Sequence, residues 1–196
     1  APAAAVDQAR DARPNILLIV IDDLGFTDLG SYGSEIRTPN LDSLAGRGIR
    51  FTNFYVSPNC APTRSMLLSG MDHHFSGNGA MIEHLSSNLR GLDGFEGYLN
   101  FRVASLPEVL SDSGYNTYMA GKWHLGASEA TSPAARGFDR SFALLLGGAS
   151  HFSDKMGLAS AAADAPYRED GELVEQLPDG FYSTTFYTDR IIDYIE

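Results

Sequence analysis

The sequence predicts an α/β fold: a mostly parallel sheet flanked by helices. Three observations predict it. First, Asn15-Ile16-Leu17-Leu18-Ile19-Val20-Ile21 is a continuous apolar run rich in β-branched residues, which reads as a strand buried on both faces. Second, helix-like and strand-like segments alternate along the chain, the order expected of a layered α/β sheet. Third, chemistry-bearing residues follow the ends of the strand-like runs: Asp22-Asp23 after the first and Cys60 after the second. Open α/β sheets carry their sites at those strand ends.

Composition narrows the classes. A chain of 196 residues fits one domain or part of a larger one, and 43% hydrophobic with 20% charged residues is ordinary globular material. The formal charge of −11 argues against a nucleic-acid partner, which needs a basic face. An anionic substrate is still admissible, because a site needs only local positive charge. One cysteine excludes an internal disulfide, so cysteine usage does not decide the redox compartment. No apolar run reaches membrane-spanning length, and no membrane partner is expected. Residues 1–13 are Ala-rich and mixed in charge, and are expected to be a flexible segment ahead of a domain over 14–196. The first residue is not Met. Either a signal peptide has been removed or the start was trimmed, and periplasmic or secreted residence is expected, with cytoplasmic as the alternative.

Taken in order, the strand at 15–21 ends in Asp22-Asp23-Leu24-Gly25. Adjacent carboxylates after a central strand repel and desolvate badly without a cation. The pair is either a solvated loop or the oxygen donors of a hard divalent cation. Thr38, Pro39 and the apolar spacing of 38–45 predict a short helix ended by Gly46 and Gly48. A strand is expected over 49–56. Residues 71–101, with His73, His74 and His84, are too long for a simple connection and could cover a pocket. The histidines stay unassigned between substrate contact and a surface or structural pair. Ser105-Leu106-Pro107-Glu108 is a capping-box pattern opening a helix that runs to Gly114, followed by a strand over 115–119. A further strand is expected over 142–148, with His151 just beyond it. Residues 154–179 read as an acidic loop. Phe186, Ile191, Ile192 and Ile195 share one face of a helix over 185–196.

Two segments concentrate chemistry. In Ser57-Pro58-Asn59-Cys60-Ala61-Pro62-Thr63-Arg64, the lone cysteine stands where a strand gives way to a helix, with Pro62 set for the helix's first turn. A helix start favours anions, and Arg64, one turn on, adds a planar fork of donors suited to sulfate, phosphate or carboxylate. The alternative is a packed free cysteine before an ordinary helix. In Gly121-Lys122-Trp123-His124-Leu125-Gly126, Lys122 and His124 point the same way if the segment is extended. Otherwise this is a turn with a snorkelling lysine and a packed tryptophan.

The spacing Cys60-x-Pro62-x-Arg64 with Leu67-Leu68-Ser69-Gly70 resembles the signature of the type I, formylglycine-dependent sulfatases, and Gly114 to His124 resembles their second signature. Arg136-Gly137-Phe138-Asp139 also looks like the family, and the chain is most similar to its bacterial arylsulfatase branch. The resemblance implies an alkaline-phosphatase-like fold and hydrolysis of sulfate monoesters, with aryl sulfates expected, using Ca2+. Asp22 and Asp23 resemble calcium ligands, joined by residue 60 once converted. Cys60 resembles the formylglycine precursor, made by a formylglycine-generating enzyme that would be a partner in maturation. Arg64 resembles the residue that holds the formylglycine hydrate, Lys122 the residue that binds hydrate and sulfate, and His124 the base that breaks down the covalent intermediate. In that scheme one hydroxyl of the hydrate attacks sulfur and the second expels sulfate. The family's later Asp-Asn pair, second His and second Lys have no counterpart here, so the chain resembles an amino-terminal portion. A phosphate or phosphonate monoesterase of the same superfamily, or an inactive anion- or metal-binding fragment, are the alternatives.

Overall fold

The computed structural model describes residues 13–158 and 164–196. The contacts divide the chain into two units, Ala1–Val56 and Ser57–Glu196. Most of the segment expected to be flexible, residues 1–12, lies outside the described residues.

The second unit holds a four-stranded mixed sheet, β1 (Tyr118–Lys122), β2 (Arg140–Leu144), β3 (Tyr167–Glu169) and β4 (Glu172–Val174), in that order. β1 and β2 pair in parallel, Tyr118 against Arg140 through Lys122 against Leu144, while β2–β3 and β3–β4 are antiparallel. β2 is buried on both faces. Its alternation sends Phe142 and Leu144 into one cluster with Ala165, Tyr167, Leu177 and Phe181, and Ala143 into a second with Leu99, Val103, Trp123, Leu125 and Leu145. α4 (Ser183–Ile195) packs on the sheet through Phe186, whose ring centroid lies 4.8 Å from that of Phe142, and through Tyr194 near Tyr118.

The helices follow their sequence signals. α1 (Pro39–Arg47) opens with proline and runs through Gly46, one of its two expected stops, to end at Gly48; the Thr38 side chain bonds Asp42 at 2.9 Å instead of capping the backbone. α2 (Cys60–Ser69) carries Pro62 in its first turn, where a missing N–H costs no intrahelical bond. It ends on Gly70, whose φ of 67° is the left-handed stop that glycine tolerates, with its N–H on the Met66 carbonyl. α3 (Leu106–Asp112) has both halves of the expected capping box: Glu108 N–H donates to Ser105 Oγ, and Ser105 N–H to the Glu108 carboxylate.

The Arg136-Gly137-Phe138-Asp139 segment has a structural job. Arg136 is 1% exposed and donates to the carbonyls of Leu99, Asn100 and Val103 and to the Glu108 carboxylate, tying a loop to the start of α3. Gly137 sits at φ 93°, and a Cβ there would lie 2.6 Å from the Glu108 nitrogen. Phe138 meets Trp123 edge to face, and Asp139 accepts from the Thr117 N–H, setting the start of β1.

Four expectations change. The run at 15–21 forms no strand, and Ile16 through Ile21 are 41–72% exposed. The segment 49–56 likewise forms none, with Ile49 82% and Tyr55 85% exposed. A strand exists only where a neighbour completes its ladder, and no described strand pairs with either run. β1 lies later than 115–119 and β2 earlier than 142–148, because their shared register runs from Tyr118 opposite Arg140. Residues 154–179 are not all loop. Asp170 (φ 49°) and Gly171 (φ 92°) form the two-residue positive-φ turn of a hairpin joining β3 to β4. None of the described residues of the first unit is buried.

Candidate active site

Cys60 is the first residue of α2 and is half-buried. Its helix start is held by Thr63: Oγ1 donates to the Ser57 carbonyl at 2.9 Å, and the Thr63 N–H to the Asn59 carbonyl at 3.1 Å. Arg64 falls one turn along and donates through Nη1 to the Lys122 carbonyl at 2.6 Å. That bond joins α2 to the last residue of β1.

The strand stops there. His124 adopts φ 59°, a left-handed conformation uncommon for a residue with a side chain and costing about 1 kcal/mol or more. Strand alternation therefore does not carry through to His124, contrary to the extended reading of this segment. The bend sets the imidazole, 3% exposed, with Nδ1 3.2 Å from Cys60 Sγ. Trp123 is buried and donates its indole N–H to the Thr131 carbonyl at 2.9 Å, anchoring the bend.

The opposite edge of the ring meets a residue that the sequence analysis does not single out. His124 Nε2 lies 3.0 Å from Glu83 Oε2, and Glu83 Oε1 accepts the Gly147 N–H at 3.1 Å. Burial pushes the Glu83 carboxyl upward, but hydrogen bonds from His124 and from backbone N–H groups outweigh it and hold the group at about 2. Glu83 is therefore an anion at neutral pH. It sits in the 3-10 turn Ile82–His84, next to Met81, whose Sδ lies 3.4 Å from Cys60 Sγ. Beyond the loop's unusual length, nothing in the sequence marks it.

That loop does line a cleft. Ile82, Tyr98, Phe101, His124, Leu145 and Leu146 border a space of about 430 Å³. His73 and His74 stack at 4.3 Å between centroids, and Asp72 accepts from the His74 N–H, a local loop arrangement. His84 is exposed, and His151 bonds Ser183 at the start of α4. Cys60, Arg64, Lys122 and His124 thus come together in the second unit. Asp22 and Asp23 belong to the first unit, exposed on a turn with Asp23 at φ 55°. Both offer only carboxylate oxygen, the donor chemistry that suits a hard divalent cation.

Residues 14–196 match the Sulfatase family model. The chain belongs to the sulfatase family. It is 45% identical over 197 residues to an uncharacterised sulfatase of Schizosaccharomyces pombe, covering 96% of this chain and 36% of the relative. It is 42% identical to the arylsulfatase of Klebsiella aerogenes, covering 99% and 41%. The crystal structure of Ps i-CgsB superposes with a TM-score of 0.76 at 29% identity, over 93% of this chain and 41% of that one. This sulfatase chain thus has the alkaline-phosphatase-like α/β fold. It spans about two fifths of the length of the curated relatives it matches.

Proposed function

We propose that the protein carrying this chain hydrolyses sulfate monoesters, aryl sulfates among them, at residue 60. One observation carries the reading: in a sulfatase-family chain, the signature cysteine lies 3.2 Å from a ring nitrogen of the second signature's histidine. Converted to formylglycine and hydrated, residue 60 would supply one hydroxyl as nucleophile and a second to expel sulfate. The position suits that group. With Glu83 ionised, a neutral His124 ring carries its hydrogen on Nε2 and has an Nδ1 lone pair toward residue 60, able to take a hydroxyl proton. A thiol has no second hydroxyl to give, which is why the cysteine itself is read as a precursor.

Arg64 holds the start of α2 against the end of β1 through the Lys122 carbonyl, so the cation-bearing residues and residue 60 move as one piece. Their positive charges offset negative charge spreading over the sulfuryl oxygens. Asp22 and Asp23 offer carboxylate oxygens that would hold Ca2+, which supplies Lewis-acid stabilisation when bound.

The test is release of sulfate from a chromogenic aryl sulfate by the complete protein, matured in a host with formylglycine-generating activity. Turnover of phosphate or phosphonate esters alone would instead assign it to the phosphomonoesterase side of the superfamily. No turnover of either, with residue 60 fully converted, would leave an anion- or metal-binding protein. Mass spectrometry of the peptide around position 60 should show loss of sulfur and gain of oxygen.

A further inference from the structure

We propose that Glu83 is the positioning residue of this site: its two carboxylate oxygens hold the His124 ring hydrogen and the Gly147 N–H, and so keep Nδ1 an acceptor facing residue 60. This rests on the hydrolytic reading above for its purpose, though not for its geometry.

The geometry calls for a carboxylate. Oε2 faces His124 Nε2 at 3.0 Å and Oε1 faces the Gly147 N–H at 3.1 Å. A backbone N–H can only donate, so Oε1 must accept. Oε2 belongs to an ionised group, which also only accepts. In the neutral ring the hydrogen is then on Nε2 and the lone pair on Nδ1, the nitrogen beside Cys60. Neutral imidazole has two tautomers, and only this one leaves an acceptor where a proton must be taken.

Three segments meet in the arrangement: the turn bearing Met81 and Glu83, the bend after β1, and the loop after β2. Gly147 leaves the room. A Cβ there would lie 2.8 Å from His124 Cε1 and 3.2 Å from Glu83 Oε1, so any larger residue pushes on both partners. His124, in its left-handed conformation, depends on these neighbours to hold its ring.

Glutamine at 83 makes a sharp contrast. Its single amide oxygen must face the Gly147 N–H, which leaves the NH2 toward His124 Nε2. The ring then carries its hydrogen on Nδ1, the wrong side for accepting a proton. Glu83→Gln should therefore invert the tautomer while preserving size and shape.

The first readout needs no converted residue 60. Long-range 1H–15N spectra at neutral pH of the complete, unconverted protein with 15N-histidine, assigned by loss of a signal in His124→Ala, should show His124 as the Nε2–H tautomer. Glu83→Gln should show Nδ1–H. A wild-type ring with a hydrogen on Nδ1, alone or together with Nε2, or a Gln variant with the wild-type tautomer, overturns the proposal. If the Gln variant does not fold, the wild-type spectrum alone still decides. The second readout is kinetic, on matured protein. Glu83→Gln should lower kcat on the order of 10²-fold, the range of a general base, with KM within about threefold. In a His124→Ala background it should cost nothing further. Equal losses in both backgrounds would mean that Glu83 serves the fold and not the ring. A wild-type protein that turns over no sulfate ester would overturn the hydrolytic reading, while the spectra would still decide the role of Glu83.

Discussion

Residues Ile16 through Ile21 and residues Phe142 through Leu145 are comparable apolar stretches with different outcomes. The first lies 41–72% exposed and forms no strand, whereas every residue of the second is at most 6% exposed and the first three belong to β2. Propensity does not separate them, since the first run is the richer in β-branched residues. Partners do. β2 has β1 on one edge and β3 on the other, and a hydrophobic cluster on each face. An apolar run states that cover is needed; it does not state which segment supplies it.

The comparison can be tested by substitutions of decreasing effect. Arg136→Ala should be the most damaging, costing about 3–5 kcal/mol, because Glu108 and three carbonyls lose a fully buried partner. Urea denaturation of the 196-residue chain measures it, and a cost below about 1 kcal/mol would show that the second unit does not depend on its buried clamp. Leu125→Ala, at a side chain 0% exposed, should cost about 2–5 kcal/mol, against about 0.5 kcal/mol or less for Leu17→Ala at 72% exposed. Equal costs in that chain would erase the contrast.

Acid should act on the second unit next. Glu83 is depressed from 4.5 to about 2, so its stabilisation is full above its unfolded value and fades as pH falls from about 4.5 toward 2. Glu108 is also lowered: burial pushes it up, but Arg136 and Ser105 outweigh that. Glu83→Gln should flatten the acid limb of a stability–pH curve, and an unchanged limb would remove Glu83 from it. The smallest change in stability, within about 0.5 kcal/mol, is expected for Asp22→Asn and Asp23→Asn, which are exposed. In the matured protein these two should lower calcium affinity and turnover together. Unchanged calcium dependence would remove the pair from the metal site.

Hydrogen exchange sharpens the contrast further. Amides of β1 and β2 should be protected and those of 16–21 should exchange nearly freely in the 196-residue chain. Protection of 16–21 in the complete protein alone would place its ladder partners outside the described residues.

The amino-acid sequence by itself determined the helices and the family. Caps and helix-end glycines act over a few residues, so Ser105 with Glu108, Pro39 and Gly48 were legible without a fold; of the face read for α4, Phe186 packs on the sheet while Ile192 and Ile195 lie 47% and 66% exposed. The two signatures were legible for the same reason, each being a short segment of fixed spacing. The hairpin at Asp170-Gly171 carried its own turn signal, masked by the acidic composition around it. Tertiary structure alone decided the rest. Glu83 reaches His124 across 41 residues and Gly147 across 64, and Arg136 finds carbonyls more than 30 residues away. Such contacts leave no periodicity, and backbone acceptors have no residue type to read. Which apolar run becomes β2 and which stays uncovered was settled the same way, because burial belongs to the partner surface as much as to the run.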